Sequence, residues 1–237
     1  MQTDVTPSAP TVIRSSTLVA DATRFILEQA HAAIASRGLF RIALAGGSTP
    51  RDVYAELAKS GQDLPWQKVQ ITFGDERCVP PDHADSNYRM AKESLLDHVA
   101  IPGGNVFRIR GEIAPEDAAR ECEGQLAAFA ARLGEPRYVH DLTLLGIGED
   151  GHTASLFPGS PALDETQRNV IPTIGPKPPP QRVTFTFPLL NASRQVCFMT
   201  KTKGKEEVIE GALRGDQQYP SARVKPVNGT VTWFIGV

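Results

Sequence analysis

Three times along the 237-residue chain a short apolar run stops at a glycine and gives way to a polar segment. Residues 41–45 (RIALA) lead into GGSTP, residues 69–73 (VQITF) into GDERCVPPDHADSNYRM, and residues 141–145 (DLTLL) into GIGEDGHTASLFPG. An apolar run without polar alternation suits a strand covered on both faces, as in a parallel sheet. Helical patterns separate these runs. Between Ser16 and Gly38, one helical stripe carries Leu18, Ala22, Phe25, Ile26, Ala30, Ala33 and Ile34, and Gly38 is a suitable stop. After GGSTP, Val53, Tyr54, Leu57 and Ala58 recur at helical spacing, with Thr49 as the expected N-cap, Pro50 in the first helical position and Asp52 near the positive end.

Further helices are predicted over 87–96, over 115–134 and in KGKEEVIEGALRG, where Val208, Ile209 and Leu213 are apolar. RVTFTF, RQVCFMT and VTWFIGV read as strands. The alternation predicts an α/β fold, Rossmann-like, with a mainly parallel sheet and helices on both faces. Residues 1–10 read as a loose tail and 11–237 as a single α/β catalytic domain, since no repeat or long linker divides them. The proline-rich IPTIGPKPPPQ is expected to be a stiff loop, from which Lys177 could face a site; Trp66 and Trp233 read as core residues.

Composition narrows the function classes. A net charge of −2 offers no general attraction to nucleic acid or to an anionic membrane. An anionic substrate must therefore be held by a few local cations. Cys78, Cys122 and Cys197 form no CxxC pair, which suits a reducing compartment better than a disulfide framework. No apolar run approaches the ~20 residues of a spanning helix, and the N-terminus lacks the basic-then-apolar order of a secretory signal. The expected location is the cytoplasm.

In open α/β sheets, ligands bind beyond the carboxyl ends of the strands, so the three polar turns should converge on one site. Gly46, Gly47, Ser48 and Thr49 join a strand to a helix N-terminus, where backbone N–H groups and the helix dipole favour an anion such as phosphate. The plainer alternative is a tight turn with a helix cap. Asp150 stands beside His152, and an imidazole with an unperturbed pKa of about 6.5 can serve as a general base near neutral pH. In GDER, Arg77 could hold a carbonyl oxygen or orient a substrate, Asp75 could bind a hydroxyl or position water, and Glu76 reads as part of a surface ion-pair cluster. Arg182 and Lys205, each at the start of a predicted element, could supply the local cations.

GIGEDG matches the dinucleotide fingerprint GxGxxG, but Glu149 and Asp150 would set two negative charges where a pyrophosphate sits, and no regular helix follows. No nicotinamide or flavin cofactor is expected. Nor is a metal: His83 and Asp85 lie near Asp82, but HExxH, paired cysteines and an EF-hand loop are missing. His31, His98 and His140 read as structural.

Taken together and in order, ALAGGSTP (43–50), ITFGDER (71–77), DSNYRMAKESLL (85–96), LLGIGEDGHTASLFPG (144–159), RVTFTFPLLN (182–191) and KGKEE (203–207) make the chain resemble the 6-phosphogluconolactonase family, which shares a wider group with glucosamine-6-phosphate deaminases. The resemblance implies hydrolysis of 6-phospho-D-glucono-1,5-lactone to 6-phospho-D-gluconate in the oxidative pentose phosphate pathway, with no cofactor, by a monomer or small homo-oligomer. It further implies that Gly46 to Thr49, Arg182 and Lys205 surround the phosphate, that His152 activates water, and that Asp75, Arg77 and Asp150 form the reacting end. The alternatives are a deaminase or isomerase of glucosamine 6-phosphate, or a non-catalytic sugar-phosphate-binding module. The deaminase pattern places a glutamate five positions after the histidine, where this chain has Phe157, and reads DEY where this chain has Asp75-Glu76-Arg77.

Overall fold

A computed structural model describes residues 9–237. The expected tail over 1–10 falls on residues 1–8, outside the described residues, together with Ala9 and Pro10, which lead directly into a strand. In chain order the elements are β1 (Thr11–Ser15), α1 (Leu18–Arg37), β2 (Phe40–Leu44), α2 (Ser48–Ser60), β3 (Val69–Phe73), β4 (Asp75–Arg77), α3 (Asn87–Ser94), α4 (Pro115–Arg132), β5 (Leu142–Leu145), β6 (Val170–Ile174), β7 (Gln181–Phe185), α5 (Phe187–Leu190), β8 (Gln195–Lys201), α6 (Glu206–Arg214) and β9 (Thr230–Gly236).

Six strands form one sheet in the order β1-β9-β8-β5-β2-β3, and every pairing in it is parallel. All residues of β2, β3 and β5 are buried. Successive side chains of a strand point to opposite faces, so both faces of the sheet centre are covered, as the unbroken apolar runs require. The stripe expected on α1 faces the core with Leu18, Ala22, Ile26, Ala30 and Ala33 buried, and the helix ends at Gly38 in the left-handed conformation, φ 78°. Trp66 and Trp233 are both core residues. None of the described helices is long and apolar enough to cross a membrane.

The six-stranded sheet bears out the expected mainly parallel α/β architecture; beside it the structure adds a second, three-stranded antiparallel sheet in the order β4-β7-β6. The RVTFTF strand belongs to it. So does the first half of the proline-rich stretch, which forms β6 rather than a loop. Pro172 is tolerated there because β6 is an edge strand, where the missing N–H costs no ladder bond. The stiff loop is confined to 175–180, closed by a hydrogen bond from Gly175 N–H to the Pro180 carbonyl (2.7 Å).

The start of α2 also differs. Gly47, at φ 106°, is the N-cap, and Ser48, Thr49 and Pro50 fill the first turn; Thr49 makes no capping bond. Threonine caps helices better than glycine in general, but a residue with a Cβ is strained at this φ. Proline is harmless in the first turn because its N–H would have no intrahelical acceptor.

Candidate active site

The carboxyl ends of β2, β3 and β5 open onto one cavity of about 460 Å³. Gly46, Gly47, Ser48, Thr49, Asp75, Arg77, Asp150, His152, Arg182 and Lys205 all line it. Residues from both sheets meet here: the parallel sheet brings the glycine turn and the histidine, and the antiparallel sheet brings Asp75, Arg77 and Arg182.

Strand alternation sorts the charges of β4. Asp75 and Arg77 point to one face and Glu76 to the other. The Glu76 expectation is corrected: it is 2% exposed and is not a surface ion pair. Its carboxylate accepts the backbone N–H groups of Arg77 (2.8 Å), Asn87 (2.7 Å) and Tyr88 (2.8 Å), and the Ser86 hydroxyl (3.1 Å). It thus satisfies the open N-terminus of α3, where a negative charge is favoured. Burial raises its pKa above the usual carboxylate value despite those donors.

In the register of β4 and β7, Arg77 stands directly opposite Arg182 and Asp75 opposite Thr184. Like charges directly opposed on one face are unfavourable in themselves. Among the described residues, none of Arg77, Arg182, Lys177 and Lys205 has a carboxylate within ion-pair distance. Their donors go to carbonyls instead: Arg77 Nη1 to Asp85 (2.6 Å), Arg182 Nε to Pro179 (3.1 Å) and Lys205 Nζ to Ile147 (2.6 Å). Arg77 Nε is buried with no partner. Burial first, and the neighbouring Arg77 second, lower the pKa of Arg182 against the pull of Asp75, Asp85 and Glu76. Burial likewise lowers that of Lys205 against Glu149 and Asp150. These cations, without acidic partners among the described residues, stand beside the N-terminus of α2 and make that end of the cavity positive.

His152 faces the same cavity. Its Nδ1 lies 2.5 Å from Asp150 Oδ1, which also accepts the His152 backbone N–H at 3.1 Å. Burial works to raise the Asp150 pKa, but the backbone bond, the charge and the side-chain bond of His152 together hold it below the usual value. Asp150 is therefore a carboxylate near neutral pH, and the hydrogen-bond network assigns the proton of a neutral His152 to Nδ1. Nε2, with no partner among the described residues, then carries the free lone pair. The imidazole leans on Phe157, with ring centroids 4.7 Å apart.

Two of the three glycines of GIGEDG have their own reasons to be small. A Cβ on Gly148 would lie 2.1 Å from the His152 ring, and one on Gly151, at φ 81°, would lie 2.3 Å from Tyr219. The segment after them forms turns and a bridge between Thr153 and Leu156 rather than a helix, so a dinucleotide phosphate finds no helix N-terminus there. Among the described residues, no group of three or more His, Cys, Asp or Glu side chains is arranged to hold a metal. His140 is fully buried against Thr72, with Nε2 2.8 Å from its hydroxyl, and burial pushes its pKa down to about 3.

Sequence reasoning missed two residues of this site. Asn87 lines the cavity, and Ser155 bonds Asp75 beneath it. Both lie in segments that carry the family resemblance, 85–96 and 144–159, but no charge or titratable group singles them out there. Lys177, raised only as an aside in the proline-rich loop, also lines the cavity.

The chain matches the family model for glucosamine-6-phosphate isomerases/6-phosphogluconolactonase over residues 14–233. It is 39% identical to a 6-phosphogluconolactonase of Synechocystis sp., over 97% of this chain and 95% of that protein. It is 41% identical to the 6-phosphogluconolactonase of Rattus norvegicus, over 84% of this chain and 79% of that one. The crystal structure of 6-phosphogluconolactonase from Thermotoga maritima superposes with a TM-score of 0.85 at 29% identity, covering 96% of this chain and all of that one. In sequence and in fold alike, the chain belongs to the glucosamine-6-phosphate isomerase/6-phosphogluconolactonase family.

Proposed function

We propose that the protein is a lactonase that hydrolyses 6-phospho-D-glucono-1,5-lactone to 6-phospho-D-gluconate, the second step of the oxidative pentose phosphate pathway, in the cytoplasm. The observation that carries the reading is the pairing, in one cavity, of an oriented histidine with an open Nε2 and a cluster of cations without acidic partners. The Gly46–Thr49 turn, Arg182 and Lys205 hold the phosphate, which places C1 of the lactone beside His152. Nε2 takes a proton from water as the water oxygen bonds to C1, and the Asp150 carboxylate stabilises the imidazolium that forms. Arg77 meets the charge growing on the carbonyl oxygen. The bond from C1 to the ring oxygen then breaks, and the imidazolium returns its proton to that oxygen, leaving a hydroxyl and a carboxylic acid that loses its own proton to solvent and becomes the carboxylate.

Phe157 supports this reading over deamination, because an apolar ring packs on His152 at the position where the deaminase pattern has a glutamate. Three free cysteines, two of them buried, are in keeping with the cytoplasmic assignment. The test is hydrolysis of freshly generated lactone against a no-protein control, with and without chelator. Acceleration that survives the chelator is the expected result. A rate equal to background would overturn the reading, and ammonia release from glucosamine 6-phosphate would replace it with the deaminase.

Arg182→Ala probes the anchor. A charge-assisted hydrogen bond contributes about 1.5–3 kcal/mol, so KM should rise ~10–100-fold with a smaller change in kcat. Loss of kcat at unchanged KM would move Arg182 from the phosphate to the reacting end.

A further inference from the structure

Asp75 is 7% exposed, and its two carboxylate oxygens are held by different parts of the chain. Ser155 Oγ donates to Oδ2 at 2.6 Å. Asn87 Nδ2 donates to Oδ1 at 3.1 Å and to the Asp75 backbone carbonyl at 2.9 Å. Each holder is itself held. The Ser155 N–H donates to Thr184 Oγ1 at 3.1 Å, on the residue opposite Asp75 in β7. The Asn87 N–H donates to Glu76 Oε1 at 2.7 Å, so the first residue of α3 is tied back to β4.

Asn87 also touches the anion-binding turn. A Cβ on Gly46 would lie 2.1 Å from Asn87 Oδ1 and 2.6 Å from its Cγ, so glycine is needed for the turn to approach this amide. The same side chain is 4% exposed and lines the cavity. One amide therefore stands between the phosphate turn and Asp75, in contact with both.

A carboxylate has about four lone-pair directions. Asn87 and Ser155 occupy two of them and leave the others for donors. In a cavity that holds a sugar phosphate, those donors are ring or chain hydroxyls.

We propose that Asn87 is a positioning residue that fixes the Asp75 carboxylate against the Gly46–Thr49 turn, and so sets the spacing between the anion anchor and the acceptor of a substrate hydroxyl. This rests on the sugar-phosphate reading given above. Selectivity for a phosphate ester that carries hydroxyls, over a phosphate alone, passes through this amide.

Calorimetric titration of the whole protein with two probes, 6-phosphogluconate and inorganic phosphate, tests the assignment without requiring turnover. Asn87→Ala should weaken 6-phosphogluconate binding ~10-fold, the scale of one or two hydrogen bonds, and leave inorganic phosphate binding unchanged. Asp75→Asn should show the same pattern, and the double variant Asn87→Ala with Asp75→Asn should bind no worse than Asp75→Asn alone, because one residue acts through the other. Equal weakening of both probes, or additive losses in the double variant, would overturn the proposal and make Asn87 a support of the turn only. If Asn87→Ala does not fold, Ser155→Ala frees the other Asp75 oxygen and should give the same selective loss; no selective loss there would also overturn the proposal. Failure of the unmodified protein to bind 6-phosphogluconate would sink the sugar-phosphate reading itself. Binding by the unmodified protein with Asn87→Ala unaffected would sink only the role of Asn87.

Discussion

His152→Ala is expected to lower kcat by ~10²–10⁴-fold, the usual worth of a positioned general base, while 6-phosphogluconate binding stays largely intact. The two effects separate because the histidine and the anchor use different elements. His152 rides on the turn after β5, and its orientation comes from Asp150 and Phe157. The proposed phosphate anchor draws on the start of α2, on Arg182 of β7 and on Lys205 at the start of α6. Removing the imidazole takes away the proton acceptor and the charge partner of Asp150 but leaves the cations in place. The residual rate should come from anchoring and from Arg77, since removing one member of a catalytic set leaves the others working. Rates with freshly generated lactone, corrected for its spontaneous opening, give kcat; calorimetry gives product binding. An unchanged kcat would remove His152 from the role of base. A parallel loss of product binding would make it a ligand of the substrate instead.

Much of this site is legible in the sequence because parallel strands advertise their carboxyl ends. A buried strand must be apolar throughout, so the first glycine and charged residue after RIALA, VQITF or DLTLL mark where the chain leaves the sheet. In such folds that is where ligands bind. The antiparallel sheet gives no such mark. β4 is three residues long and charged, and it is a strand only because β7 pairs with it from a distant part of the chain. β6 contains a proline that reads as a breaker until its place at the edge is known. The inward turn of Glu76 was hidden for the same reason: period two says that Glu76 faces away from Asp75 and Arg77, but only the position of α3 shows that the far side is the interior. Gly47 does not read as a cap in the sequence because propensity ranks side chains for an ordinary helix start, whereas this turn needs a positive φ. Asn87 and Ser155 are single polar residues whose importance lies in what they touch. Phe157 acquired meaning only from the resemblance, as the position where a glutamate is missing.

The largest loss of stability is expected at the opposite end of the same sheet, from Asp141→Ala. Asp141 directly precedes β5 and is 5% exposed. Its Oδ2 accepts the Arg41 backbone N–H at 2.8 Å and its Oδ1 accepts Arg37 Nε at 2.9 Å, while Arg194 Nε lies within ion-pair distance of Oδ1 at 3.3 Å. Arg41 itself is 3% exposed. Burial alone would lower its pKa, but the bonds to Glu135 at 2.6 and 3.0 Å, with the charge of Asp141, raise it above the usual value. Asp141→Ala leaves the buried Arg41 backbone N–H without its acceptor and leaves the Arg41 guanidinium to Glu135 alone, and taking one partner from a buried ion-pair cluster typically costs about 3–5 kcal/mol. At roughly 2–4 °C per kcal/mol for a chain of this size, Tm should fall by about 6–20 °C. Denaturant titration should show the same loss, while kcat/KM of the folded protein stays close to that of the parent. A loss of activity without a loss of stability would contradict this placement. The two sheets thus treat one residue type in opposite ways. Arg41 is buried with acids beside it and holds the strands together; Arg77 and Arg182 are set against each other without an acid in ion-pair range, and in the proposed function an anionic substrate answers that unrelieved charge.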